Sequence, residues 1–396
     1  MRIAVIADAF PPLRSSAAVQ LRDLVNELDE QGHEVTVLLP DSTLASSWQL
    51  DDRGKTKILR LRAPLTKDVS YFRRAIAEYR LANVMWKNYR KTPYRVRVYD
   101  GVIWYSPTIF LGSLAAKLKQ LSNCRSYLIL RDIFPEWAVD MGLLRRGLIY
   151  RYFKSVEKYQ YRQADVIGIQ TPSNFSYFSQ EHKDLSARVE VLNNWLAPIG
   201  SSTSSINISS TTLAGRKILV YTGNIGIAQG IEILISLAET YIQDKQVGFL
   251  FVGRGTAVEM LKKQVGIRQL DNVLVHDEIE PNEIPALLAQ CKVGLIALDT
   301  RHRHDNIPGK FLAYMQAGLP VLATINAGND LEVMINQNRV GRVITSNNVA
   351  ELKQQADDLL ASLATDDDFS GRCRQLAESR FSSRAAVQQI VAALKG

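Results

Sequence analysis

A short apolar run that ends in a loop and feeds an amphipathic helix opens this chain, and the same pattern begins afresh after residue 215. That repetition limits the fold more than any other feature. Arg2 to Ala7 reads as a buried parallel strand, and D-A-F-P-P-L-R-S-S follows it. Ala17, Leu21, Leu24, Val25 and Leu28 then mark one helix face, Gly32 caps the helix, and Val35, Val37 and Leu39 give the next strand. Strand, loop, helix, strand is the opening of a doubly wound sheet. Ligands of such sheets bind beyond the carboxyl ends of the strands, which puts Phe10 to Ser16 at the mouth of a site. Ser15 and Ser16 offer hydroxyls and helix-terminal amides there, and Ser16 also reads as an N-cap.

The rhythm resumes with strands at Val102 to Tyr105, Tyr127 to Leu130, Asp165 to Gln170 and Val189 to Leu192. The second of these ends in R-D-I-F-P-E-W, so Arg131 and Asp132 fall at a carboxyl edge. They form either a structural ion pair or a working pair, with Asp132 taking a proton from an acceptor hydroxyl and Arg131 binding an anion. A basic helix carrying Arg145, Arg146, Arg151, Lys154, Lys158 and Arg162 comes next.

Leu196 to Gly215 is polar, uncharged and rich in Ser and Thr, and reads as a linker or exposed loop. Beyond it, Ile218 to Tyr221 forms a strand that runs through T-G-N-I-G-I-A-Q-G into a helix. Glycines there, Gly223 and Gly226 among them, let the backbone approach a bulky ligand, and the helix N-terminus favours phosphate. The spacing is not that of a dinucleotide site, and no acidic residue closes a second strand to hold a ribose. A dehydrogenase is therefore poorly supported. Arg254, after the strand Gly248 to Val252, is again at a carboxyl edge, and Val273 to Val275 leads into H-D-E-I-E-P with Glu278.

N-I-P-G-K-F-L-A-Y-M-Q-A-G-L-P-V-L-A, from Asn306 to Ala323, is the most informative single stretch. Pro308 and Gly309 open a turn, Phe311, Leu312 and Met315 recur at helical spacing, and Gly318 ends the helix before a short buried strand. Lys310 thus falls in a first helical turn. The helix dipole disfavours a cation there unless an anion binds beside it. A solvated surface lysine is the alternative.

Charge divides unevenly. Residues 1–196 hold 29 Lys+Arg against 20 Asp+Glu, and the remainder 19 against 20, so the whole excess of +8 lies in the first half. There Trp86, Tyr89, Tyr94 and Tyr99 interleave with Arg80, Lys87, Arg90, Lys91, Arg95 and Arg97. Three readings remain open: a membrane-surface contact, a single-strand nucleic-acid groove, or a solvated helix face. Cys124, Cys291 and Cys373 are too scattered for a disulfide framework or zinc site, and His302 and His304 suit no usual metal pair. No signal peptide and no membrane-spanning run are read, so the expected compartment is the cytoplasm.

F-P-P near the start, T-G-N-I-G…Q-G-I-E at the second opening, and P-G-K-F-L-A-Y-M-Q-A-G-L-P-V together resemble the retaining glycosyltransferases of family 4, over essentially the whole chain. R-D-I-F-P-E and G-N-I-G resemble the branch that builds bacterial O-antigen, colanic acid and capsule. The resemblance implies an α/β, GT-B architecture of two Rossmann-like doubly wound domains, with C-terminal helices packing back on the body. The expected boundaries are 1–196 for an acceptor- and membrane-facing domain, 197–215 for a linker and 216–396 for a nucleotide-sugar-binding domain.

Laid on this sequence, the family's first-domain Gly-Gly loop falls at Ser15 and Ser16. Its diphosphate-gripping Arg and Lys fall near Asn224 and Gln229, neither of them charged. Its paired glutamates fall at Asp305 and Ala313, so the carboxylate that normally binds the ribose diol is missing. Arg254, Lys310 and Arg131 are left to neutralise the leaving diphosphate, and Asp305 to hold sugar hydroxyls. The resemblance further implies a UDP-linked sugar donor, with an N-acetylated amino sugar among the candidates, no metal, and a polyprenyl-diphosphate-linked glycan acceptor. The inner face of the membrane would be met through Trp86, Lys87, Arg90, Lys91 and Arg95. A nucleotide-sugar epimerase of the same architecture and a non-catalytic binding module are the rival readings.

Overall fold

The computed structural model describes residues 1–396 apart from 14, 67–69, 199, 201, 227–229 and 299–306. Two compact units emerge, Met1–Leu196 together with Ser383–Gly396, and Ala197–Ser382. The first runs through β1 (Arg2–Ile6), α1 (Ser16–Glu30), β2 (Glu34–Asp41), β3 (Trp48–Arg53), β4 (Thr56–Arg62) and α2 (Tyr71–Tyr89). It continues with β5 (Gly101–Tyr105), α3 (Gly112–Ser122), β6 (Arg125–Ile129), α4 (Glu136–Asp140) and α5 (Leu148–Gln163). β7 (Val166–Ile169), α6 (Phe175–Glu181) and β8 (Arg188–Val191) complete the sheet, in the order β3-β4-β2-β1-β5-β6-β7-β8.

β1 is apolar from Ile3 to Ile6 because both its faces are covered there. Ala4 and Ile6 pack with Trp104 and Leu114 on one side, while Ile3 and Val5 pack with Leu21 and Leu28 on the other. The strand order departs in opposite directions from β1, to β2 and to β5, so a crevice opens at its carboxyl end. The β3–β4 hairpin is the one antiparallel pair among these strands and was not anticipated. Its turn is made at Gly54, whose φ of 71° suits glycine.

The second unit holds β9 (Lys217–Asn224), α7 (Glu232–Thr240), β10 (Val247–Arg254), α8 (Val258–Ile267), β11 (Val273–His276) and α9 (Ile284–Leu288). β12 (Val293–Ala297), α10 (Gly309–Ala317), β13 (Val321–Thr324), α11 (Asp330–Asn338), β14 (Gly341–Ile344), α12 (Val349–Ser362) and α13 (Phe369–Arg380) follow. Its parallel sheet has the order β11-β10-β9-β12-β13-β14, with the direction reversing between β9 and β12.

Two expected boundaries shift. Residues 197–215 are not a free linker, since Ile206, Ile208 and Leu213 are buried and the Gln290 side chain bonds the backbone of both Ile206 and Ile208. Apolar residues hidden among the serines anchor that stretch to the second unit. The last helix, α14 (Ser383–Lys395), belongs to the first unit, where Ala386, Val387 and Ile390 pack against Leu21 and Leu24 of α1.

Candidate active site

In the second unit, α10 starts after Pro308, which sits in an extended conformation as N-cap and offers no side-chain hydrogen bond to the first turn. Gly309 and Lys310 are the first two helical residues. The helix is held at its sheet by Tyr314, whose hydroxyl accepts from Thr222 N at 3.0 Å and donates to Val220 O at 3.2 Å. Tyr314 fits only because residue 294 is glycine: a Cβ there would lie 2.4 Å from the ring. This clamp fixes the start of α10 relative to β9.

Lys310 is no solvated surface lysine. Its ammonium is buried, with no hydrogen-bond partner among the described residues, and stands 3.5 Å from the centroid of the Tyr221 ring. Burial without a counter-charge lowers its pKa from 10.5 to about 7. The aromatic face offsets part of that cost. Tyr221 also donates from its hydroxyl to Asn224 O at 2.8 Å, which ties the lysine's ring to the loop that leaves β9.

That loop is shaped by glycine. Gly223 has a φ of 107°, and a Cβ on the adjacent Gly253 would fall 1.8 Å from Gly223 O. Gly255 has a φ of 148°, and a Cβ there would lie 2.3 Å from Ile225 O. β9 and β10 thus end in bare backbone beside the exposed Asn224, with Gly226 next in the chain. Arg254 and Glu278, each half exposed, pair with one another at 3.2 Å, so the arginine expected to meet a diphosphate already has a carboxylate. Gln229 and Asp305, like His302 and His304, lie outside the described residues.

The first unit carries a cleft of about 770 Å³ at the carboxyl ends of β1, β2, β5 and β6. Asp8, Phe10, Asp41, Arg60, Phe110, Asp132, Phe134 and Trp137 line it. Arg60 pairs with Asp51 at 3.2 Å and lies 3.9 Å from Asp41, and Arg74 pairs with Glu78 at 2.8 Å. Asp132 thus takes the cleft position expected of it. Arg131 does not join it. Its guanidinium turns away to donate to Leu192 O at 2.8 Å and stacks over Trp195 at 4.8 Å, and burial lowers its pKa. An arginine at a strand's end is here spent on the loop after β8. Ser15, not Ser16, caps α1, accepting from Ala18 N at 3.2 Å, and both serines are exposed.

In the basic aromatic run, Lys87, Arg90, Lys91 and Arg95 are exposed as expected. Tyr89 and Tyr99 are instead fully buried, and Trp86 is half-buried and stacks on Tyr89 at 5.5 Å. Those rings build core, and the cations face out together with Val96 and Val98. Sequence reasoning passed over Asp8 and Tyr221; the carboxylate at the end of β1 was a signal for the first, whereas a ring inside an apolar strand gave none for the second.

Residues 216–362 match the family model of glycosyl transferases group 1. The second unit carries a group 1 glycosyltransferase domain. Lys310, the glycine-bounded loop and the Tyr314 clamp all lie inside it. The chain is similar to the probable glycosyltransferase WbjE of Pseudomonas aeruginosa, at 23% identity over 278 residues, covering 68% of this chain and 67% of that one. It is also similar to the putative colanic acid biosynthesis glycosyl transferase WcaI of Escherichia coli K12, at 22% identity over 366 residues, covering 84% and 85%. Among solved structures, HepE of Anabaena in complex with UDP and glucose matches with a TM-score of 0.69 at 16% identity, over 100% of this chain and 99% of that one. The two-sheet fold is that of GT-B glycosyltransferases.

Proposed function

We propose that this protein is a retaining glycosyltransferase of bacterial surface-polysaccharide assembly, moving a sugar from a UDP-linked donor to a lipid-linked glycan. The observation that carries the reading is the buried ammonium of Lys310, without a hydrogen-bond partner among the described residues, at the opening of α10 beside the bare backbone ends of β9 and β10. A desolvated cation with no partner is costly to keep. A nucleoside diphosphate would supply the missing negative charge and restore the lysine's proton. The similarity to WbjE supports glycosyl transfer, that to the colanic acid transferase WcaI supports a role in polysaccharide assembly, and HepE with bound UDP supports the donor class.

In the proposed reaction the bond from the anomeric carbon to the diphosphate oxygen breaks as the acceptor oxygen bonds that carbon on the same face. The acceptor proton passes to the departing phosphate, or to Asp132 as base. Negative charge grows on the leaving oxygens, so Lys310 and the first-turn amides of α10 stabilise the transition state more than the ground state. No metal enters this scheme. The first unit's cleft, with two paired arginines, carboxylates and aromatic walls, suits an uncharged hydroxyl-rich acceptor whose hydroxyls the carboxylates accept from. Lys87, Arg90, Lys91 and Arg95 would draw the protein to anionic lipid at the membrane's inner face.

A thermal-shift screen against UDP-, GDP-, TDP- and CMP-sugars tests the reading. One donor should stabilise strongly, by roughly 2.7 kcal/mol at a hundredfold excess over its dissociation constant. That donor should then be consumed only when acceptor is added. Consumption without acceptor would indicate an epimerase, and no stabilisation by any donor would remove the transferase reading.

A further inference from the structure

Apart from Val96, the aliphatic side chains of the first unit that are most exposed among the described residues gather where α4 gives way to α5. Leu143 is 72% exposed, Leu148 82% and Ile149 64%. Leu148, Tyr152 and Tyr159 recur along one outward stripe of α5, and all three are exposed. Burial first, then the neighbouring Tyr79 phenol and Glu78 carboxylate, raise the pKa of Tyr152. Tyr79 of α2 is itself 65% exposed. Single exposed apolar residues are ordinary, but a run of this kind marks a contact surface.

Its charge says what the contact is. Arg145 and Arg151 are exposed and have no carboxylate partner among the described residues. Arg146, 69% exposed at its side chain, reaches Glu136 only at 3.5 Å. Leucine, isoleucine and tyrosine ringed by arginine is the chemistry of a water–lipid boundary, where apolar groups enter the acyl edge and cations meet phosphate headgroups. The face also communicates with the cleft. Phe153, next to Tyr152, packs on Phe134 at 5.0 Å and on Phe110 at 6.4 Å, and both of those rings line the cleft.

We infer that the α4–α5 corner, with Leu148 and Ile149 at its tip, inserts into an anionic bilayer and sets the mouth of the first unit's cleft at the lipid surface. This rests on the lipid-linked acceptor proposed above and adds the element that enters the membrane. It differs from electrostatic attraction through the 87–95 run, because removing apolar groups alone should weaken it.

The test is flotation of the full chain with vesicles of phosphatidylethanolamine and phosphatidylglycerol, against phosphatidylcholine alone. Wild type should float with the anionic vesicles only. Leu148→Ser with Ile149→Ser keeps every charge and should weaken binding by about tenfold or more. Arg145→Gln with Arg151→Gln should weaken it by on the order of thirtyfold, at about 1 kcal/mol for each cation. Leu148→Trp should report insertion as a blue-shifted emission on adding anionic vesicles. Unchanged flotation of the Leu148/Ile149 variant, or an unshifted tryptophan, overturns the inference. So does loss of a concentration-dependent self-association in that variant with flotation intact, which would make the corner a contact between copies. Transfer to a water-soluble acceptor, run in parallel, keeps the two readings apart: its absence beside intact flotation removes the transferase, not the docking corner.

Discussion

The two units treat their cations in opposite ways. Among the described residues, both arginines that line the first unit's cleft are paired with carboxylates, Arg60 with Asp51 and Arg74 with Glu78, and nearby Arg131 is spent on backbone carbonyls. The second unit buries one lysine against a ring and leaves its ammonium without a partner among the described residues. A site with balanced charge is prepared for hydroxyls, whereas a site with one uncompensated charge is prepared for an anion. The proposed division of labour between acceptor and donor rests on that difference.

Removing the unpaired charge should break the comparison most sharply. Lys310→Met is expected to lower turnover by about 10²–10³-fold, as loss of one preorganised charge stabiliser does, without lowering the unfolding midpoint. Initial rates and urea unfolding on the same preparation check both halves. The pH dependence follows with a definite sign. Lys310 has a folded pKa of about 7 against 10.5 when free, so the unfolded chain holds more protons between those values. The stability of wild type relative to Lys310→Met should therefore rise as pH climbs from about 7 towards 10.5, and be flat below 7.

Backbone comes next. Gly253→Ala forces a Cβ onto Gly223 O and should cost about 3 kcal/mol, read by chemical denaturation, with donor affinity lost alongside. In the first unit, Arg131→Ala should cost about 2 kcal/mol through the freed carbonyls of Leu192 and Asn193. Donor affinity should be untouched, and an equal loss of both would return Arg131 to the diphosphate. Arg74→Gln should have the smallest effect, raising the acceptor KM a few-fold, because the Arg74–Glu78 pair is exposed on the arginine side.

Much of this was legible. The doubly wound sheets followed from apolar runs feeding amphipathic helices, and the turn, helix and capping glycine around Lys310 followed from Pro308, Gly309 and Gly318. What was not legible depended on where side chains turn. Arg131 has the position expected of an anion ligand, but Trp195 and the Leu192 carbonyl, some sixty residues away, claim it. Tyr89 and Tyr99 share the spacing of interfacial aromatics, yet their α2 and β5 neighbours bury them. The same limit hid the value of Lys310, since nothing in the local sequence says that Tyr221 of β9 lies beneath its ammonium.

The most direct test of the donor site is calorimetric titration of UDP into wild type and Lys310→Met, at slightly alkaline pH, in two buffers of different ionisation enthalpy. Wild type should bind with uptake of a proton as Lys310 regains its charge, and the variant should bind far more weakly with no uptake from that group. Equal affinity and equal proton uptake in the two proteins would contradict the account, and would mean that the diphosphate is held somewhere other than the opening of α10.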